Sequence, residues 1–217
     1  MIVMILNIFK PRVCTSFFIV KRIRGIIKGK KVGHGGTLDP FAEGVLIIGT
    51  GKDTKKLSNF INESKVYEAE QELGKMTNTL DPEGNIIDIK KVPILSKKKI
   101  IKVLDSFLGE SLQIPPMFSA KKINGQKLYE LARKNINLNR KPIRIFIDEI
   151  KLIDYKDNII SFRVKCSKGT YIRVLGKDIA EKLNTVGYLN SLIRTNVGPF
   201  SIEDSIRIEN FETKWKL

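Results

Sequence analysis

In "VYEAEQEL" the residues Tyr67, Ala69, Gln71 and Leu73 alternate with Glu68, Glu70 and Glu72, a two-residue period that commits the stretch to a half-buried β-strand. Only a strand sends successive side chains to opposite faces, so a helix would mix the two sets. The same period returns in "IRIFIDEIKL" and in "NIISFRVKCS", where Ile160, Phe162, Val164 and Cys166 share a face. Between these stretches the period becomes helical. "SFFIVKRIRGIIKG" sets Phe17, Val20, Ile23 and Ile27 on one stripe and is expected to stop at Gly29. "SKKKIIKVLDSFLGE" opens on the N-cap candidate Ser96, carries Ile100, Leu104, Phe107 and Leu108 on one side, and stops at Gly109. "GQKLYELARK" reads as a short helix with Leu128 and Leu131 inward, and "IRVLGKDIAEKLN" as a helix on Leu175, Ile179 and Leu183. Strands separated by single helices, with hairpin-like pairs, point to an α+β domain on a mixed sheet. A chain of 217 residues fits one such domain with a substantial core.

The charge narrows the partner. Thirty-nine Lys and Arg against 23 Asp and Glu leave a net charge of +16. Such an excess on a folded chain favours a polyanion, nucleic acid before an anionic membrane. Lysine outnumbers arginine 29 to 10 and isoleucine outnumbers alanine 32 to 5, the skew of an AT-rich genome, so part of that charge is compositional. No apolar run approaches a membrane span, and "MIVMILNIF" lacks the basic start and small-residue cleavage site of a secretory signal. The two cysteines, Cys14 and Cys166, have no CxxC spacing, which fits a reducing compartment, the cytoplasm.

Several chemistries fail on spacing. A phosphate-binding loop at "GTGKDT" would need glycine where Leu46 stands and Ser or Thr where Asp53 follows Lys52. "GHGGTL" has Leu38 where a dinucleotide fingerprint needs its third glycine. One histidine and two distant cysteines argue against zinc, and no serine sits in a nucleophile elbow. Neither a metal nor a cofactor is expected.

What remains is "KVGHGGTLDP", residues 31–40, with three glycines, the chain's single histidine and Asp39. Gly33, Gly35 and Gly36 allow close backbone approach to a ligand, and Pro40 biases Asp39 toward an extended conformation. A structural alternative is that Asp39 and Pro40 cap a helix beginning near "PFAEGVL". Tyr67 inside its strand reads equally as a cross-strand aromatic, and Arg173 as a surface ion pair. Arg173 nevertheless opens a helix whose positive end disfavours a cation, so another group must hold it there.

Taken in order, "KVGHGGTLDPFAEGVLIIGTGKDTK", "SKVYEAEQELGKMTNTLDPEG", "IPPMFSAKKINGQKLYELAR", "CSKGTYIRVLGKDIAEKL" and "LIRTNVGPF" resemble the B-type tRNA pseudouridine synthases, the TruB family. The resemblance implies the pseudouridine synthase fold, a mixed and mostly antiparallel central sheet flanked by helices and loops. It implies a single catalytic domain over residues 1–217, with no room for the small C-terminal PUA domain usual in the family. The chain departs from the family at Val13-Cys14, where glycine and a small or polar residue are usual, and at Asn78, where an acidic residue is common.

The implied reaction is isomerisation of the T-loop uridine, uridine-55, in which the N1–C1′ bond breaks, the uracil turns, and C5 joins C1′. By resemblance Asp39 is the catalytic carboxylate, acting either on a carbon of the nucleotide or as a base on the ribose. Arg173 would oppose the upward pKa shift that burial imposes on it, and Tyr67 would stack on the uracil. The base must be flipped out of the folded T loop. His34 would fill the vacated space or, alternatively, make a loop-stabilising hydrogen bond, with Gly35 beside it. Lys10 and Leu192 match pocket-lining positions. The expected partner is the tRNA T arm, without guide RNA or membrane, and the expected state is a monomer. Two competing readings are an RNA-binding module without catalysis and a guide-dependent synthase of the dyskerin type.

Overall fold

The computed structural model describes residues 4–28 and 31–216, the side chains of 214–216 excepted. In chain order the elements are β1 (Ile5–Lys10), α1 (Ser16–Ile26), β2 (Val32–His34), β3 (Glu43–Thr50), a 3-10 helix (Gly51–Lys56) and α2 (Leu57–Asn62). Then come β4 (Lys65–Leu73), β5 (Lys75–Thr77), β6 (Ile86–Ile89), α3 (Lys97–Asp105), β7 (Gly109–Gln113), β8 (Lys122–Ile123), β9 (Gln126–Lys127) and α4 (Leu128–Ala132). The remainder is β10 (Ile143–Lys156), β11 (Ile159–Cys166), α5 (Ile172–Lys182), β12 (Gly187–Val197), β13 (Phe200–Ser201) and α6 (Ile208–Lys216). Contacts divide the chain into two compact units, Met1–Glu68 with Leu192–Leu217, and Ala69–Ser191. The class is α+β, as the sequence indicates.

In the first unit β3 is the organising strand. Gly49 pairs with Ile5 of β1 and with Gly33 of β2, while Gly44 pairs with Lys10 of β1 and, in parallel, with Arg194 of β12. One edge of β3 therefore carries β1, and the other carries β2 at one end and β12 at the other. Residues 35–42, which join β2 to β3, run past the gap between them. "GVLIIG" is apolar without alternation because both of its faces are covered. Leu46 and Ile48 pack with Ile8, Ile19, Val20, Ile23, Ile208 and Phe211 under α1 and α6. Val45 and Ile47 pack on the opposite face with Leu57 and Val197.

The α1 stripe differs from the expected one by a residue. Its buried side chains are Ser16, Ile19, Val20 and Ile23, followed by Ile27, and Phe17 is 62% exposed. The Thr15 hydroxyl accepts the Phe18 N–H at 3.0 Å and fixes where the helix starts. Ser16 is then turned inward, where its hydroxyl donates to Leu38 O at 3.1 Å and accepts from Leu38 N at 2.9 Å. The expected stop at Gly29 lies outside the described residues.

In the second unit hydrogen-bonded neighbours follow the order β4-β11-β10-β7, with β10 antiparallel to both β11 and β7. Ile160, Phe162, Val164 and Cys166 are buried together as their spacing requires, and so are Leu128 and Leu131 of α4 and Leu175, Ile179 and Leu183 along α5. β4, whose residues through Glu68 belong to the first unit, buries Lys65, Tyr67, Ala69, Gln71 and Leu73. α3 starts at its Ser96 cap and buries Ile100 and Leu104, but it ends at Asp105. Leu108, expected on the same face, is 48% exposed because the helix has already closed before it. β10 carries two register shifts, and the one between Ile147 and Glu149 interrupts the simple alternation of "IRIFIDEIKL".

Candidate active site

No helix follows Asp39. Its carbonyl accepts the Ala42 N–H at 3.1 Å in a single turn, and β3 begins at Glu43. The capping alternative fails, since "AEGVLIIGT" enters a strand and offers no orphan helical N–H groups. Asp39 is half-buried. The loop around it is fixed on both sides. Upstream, Leu38 is held by the Ser16 hydroxyl. Downstream, the Pro40 carbonyl accepts from Val13 N at 2.9 Å and from Lys10 Nζ at 3.3 Å.

Lys10 has no solvent exposure, and its ammonium also donates to Pro11 O at 2.9 Å and Cys14 O at 2.8 Å. Burial pushes its pKa down, the nearby Cys14 and Asp39 charges oppose that shift, and Arg194 adds to it. Arg194 does the matching work from β12. It is 1% exposed, and its guanidinium donates to Val45 O at 2.8 Å, Thr37 O at 3.4 Å and Gly36 O at 3.3 Å. One side chain thus ties the start of β3 to the two residues that lead into Leu38. Gly36, at φ +123°, takes a backbone conformation that suits glycine. Arg194 escaped the sequence reading, although "LIRTNV" places an arginine between apolar residues of a strand, an uncommon setting.

His34 ends β2, and the next residue, Gly35, is buried and donates to Ile47 O at 2.8 Å. Burial lowers the His34 pKa, the Arg194 guanidinium lowers it further, and the Gly36 backbone opposes the shift. The imidazole is therefore neutral at pH 7, with Nδ1 buried and without a hydrogen-bond partner among the described residues. Tyr67 is 9% exposed on the inward face of β4, and Leu192 of β12 is 5% exposed.

Arg173 belongs to the second unit. It is the second residue of α5 and only 3% exposed, so the surface ion-pair alternative fails. As expected for a cation at a positive helix end, other groups hold it. Its Nη1 lies 3.2 Å from Asp81 Oδ2 and donates to Thr79 O at 2.6 Å, while Nη2 donates to Phe118 O at 2.7 Å. Asp81 is itself 3% exposed, and its Oδ1 accepts from Thr79 Oγ1 at 2.6 Å and Glu83 N at 3.0 Å. Asn78, the departure from the family, accepts the Asn85 N–H through its side-chain oxygen at 3.1 Å, a role a carboxylate fills equally. Asp81 also escaped the sequence reading. Its signal was in plain view, because Thr-Leu-Asp-Pro occurs twice, at 37–40 and at 79–82. The α5 start is further secured by Gln113, whose side chain donates to Tyr171 O at 3.1 Å and accepts from Tyr171 N at 2.8 Å.

Among the described residues no group of three or more His, Cys, Asp or Glu is placed to hold a metal. No helix among them is long and apolar enough to cross a membrane. The first unit offers a carboxylate on a clamped loop, a neutral imidazole at the start of that loop and a buried tyrosine, and the second unit offers an anchored guanidinium.

Comparison with known proteins follows the same lines. Residues 24–172 match the family described as TruB family pseudouridylate synthase, N-terminal domain. The tRNA pseudouridine synthase B of Clostridium kluyveri is 47% identical over 210 residues, which cover 97% of this chain and 72% of that one. Its counterpart in Clostridium acetobutylicum is 46% identical over 206 residues, covering 95% and 71%. Among solved structures, a chain of a Cbf5–Nop10–Gar1 complex superposes with a TM-score of 0.76 at 28% identity, covering 96% of this chain and 53% of that one. The chain thus spans about half the length of that solved relative.

Proposed function

The chain belongs to the TruB family of pseudouridylate synthases, and from that membership we propose that it isomerises uridine-55 in the T loop of tRNA to pseudouridine. The observation that carries the reading is the Asp39 loop, whose backbone is held by a buried lysine at Pro40 and a buried arginine at Gly36 and Thr37. Breaking and remaking a bond at C1′ requires one reactive group aimed at one ribose, and a clamped loop maintains that aim. Asp39 supplies the carboxylate. Arg173 supplies the positive charge that the reaction calls for, and Tyr67 stacks on the uracil. His34, neutral at the end of β2, fills the space left by the flipped base, and Lys10, Gly35 and Leu192 complete the lining. The reaction is an isomerisation, so no group is gained or lost.

The reading treats residues 1–217 as one catalytic domain acting as a monomer in the cytoplasm. It acts without guide RNA, a choice supported by 47% identity to a tRNA pseudouridine synthase B against 28% to the Cbf5 chain. The test is to incubate the purified chain with an unmodified tRNA transcript alone and map pseudouridine. Modification confined to position 55 is expected. Modification that appears only after a guide RNA and protein partners are added contradicts the proposal.

A further inference from the structure

Phe17 and Phe18 stand at the start of α1, 62% and 47% exposed, while the buried stripe of that helix is made by Ser16, Ile19, Val20 and Ile23. Two neighbours tie this point to the Asp39 loop. Ser16, next to Phe17, is doubly hydrogen-bonded to Leu38, and Val13, in the turn before the helix, donates to Pro40 O. Residue 39 lies between those two anchors. Val13 is itself 91% exposed. The exposed face that continues from Phe17 and Phe18 carries Lys21, Arg22, Arg24 and Lys28, of which Arg22 is paired with Glu212 of α6 at 3.2 Å, and α1 itself contains no acidic residue.

Aromatic faces among cations of one sign, beside a loop that carries a carboxylate, match the surface on which single-stranded nucleic acid is held. Bases stack on the rings, and lysines follow the phosphates. Four cations beside two exposed aromatic rings favour a polyanion that also carries flat faces to stack, which is single-stranded nucleic acid rather than protein. We propose that Phe17 is a stacking platform for an unpaired nucleotide of the substrate RNA, next to the one Asp39 acts on, with Lys21 contacting the adjoining phosphate. This rests on the reading of the chain as a tRNA uridine isomerase. It adds a binding position outside the residues assigned there.

The test measures Kd for one unmodified tRNA transcript across a salt series with wild type, Phe17→Ala, Phe17→Leu, Phe17→Tyr and Lys21→Ala. Thermal midpoints confirm folding, and pseudouridine is mapped with wild type on the same transcript. Phe17→Ala and Phe17→Leu should each weaken binding about tenfold, or about 1.4 kcal/mol, with the slope of log Kd against log salt unchanged. Phe17→Tyr should bind like wild type. Lys21→Ala should reduce the slope by about 0.7 to 0.9, the loss of one phosphate contact. Binding by Phe17→Ala equal to wild type, or Phe17→Leu as strong as wild type, overturns the stacking role. A Phe17→Ala variant that changes only self-association in sedimentation makes the patch a protein contact and also overturns it. If wild type makes no pseudouridine, the functional reading fails and this inference with it. If wild type is active while Phe17→Ala binds normally, only the inference fails.

Discussion

Arg194 and Lys10 are buried cations that donate to backbone carbonyls, Gly36, Thr37 and Val45 for one and Pro11, Cys14 and Pro40 for the other. Carbonyl partners satisfy donors that would otherwise be buried without hydrogen bonds. Arg194 also has a titratable consequence at His34. Burial and the Arg194 charge depress its pKa below 6.5, so the unfolded chain binds a proton there more readily than the folded one. Stability from this residue is complete above about pH 6.5 and is lost as pH falls below it toward the depressed folded value. We therefore expect the stability of wild type relative to His34→Asn to be greatest above pH 6.5 and to decline on acidification, as read from urea midpoints between pH 5 and 8. A constant difference, or one that grows on acidification, contradicts this.

Arg173 yields a second expectation at the same scale. Its two terminal nitrogens serve Asp81, Thr79 and Phe118 in a planar fork, which a lysine ammonium cannot reproduce. Arg173→Lys should lower kcat/KM for pseudouridine formation about a hundredfold or more, equivalent to about 2.7 kcal/mol. Near wild-type turnover in a folded lysine variant would reduce the role of Arg173 to charge alone. At this scale the sequence was legible where a residue type was rare in its setting. Asp39 in its glycine loop and Arg173 at a helix start both stood out. Asp81 and Arg194 did not, because their significance lies in what they reach across the fold.

Among the elements, β3 and β12 come closest together at Gly44. It has φ +108°, and a Cβ there would collide with the Arg194 backbone. Gly44→Ala should therefore cost more than about 4 kcal/mol, the range of severe core lesions, measured by urea unfolding. A loss below about 1 kcal/mol would mean the parallel pairing can open at little expense. Periodicity alone located β4, β11, α4 and α5 with their buried faces, because each has a single covered side. It failed on "GVLIIGT", where both faces are covered, and in α1 it placed Val20, Ile23 and Ile27 inward correctly but not Phe17. There the hydrogen bonds of Thr15 and Ser16 fix the helix start and turn Ser16 inward instead.

For the whole molecule the governing quantity is the charge of +16. If tRNA is the substrate, phosphate contacts carry much of the affinity, and six to ten of them would lose about 10³ to 10⁵ in Kd between roughly 50 and 200 mM salt. A Kd that stays flat over that range would mean shape and base contacts dominate. Family membership was readable because ordered motifs span most of the chain, whereas the clamps that hold the Asp39 loop emerged only from the fold. The central claim is that this scaffold exists to aim one carboxylate at one ribose. It is tested most directly by single-turnover assays with saturating enzyme on an unmodified tRNA transcript, comparing wild type with Asp39→Asn. The amide is nearly isosteric and preserves the loop but can act neither as nucleophile nor as base. The account predicts pseudouridine at position 55 with wild type and none with the variant, while tRNA affinity stays within about tenfold, or 1.4 kcal/mol. Substantial turnover by Asp39→Asn would contradict it.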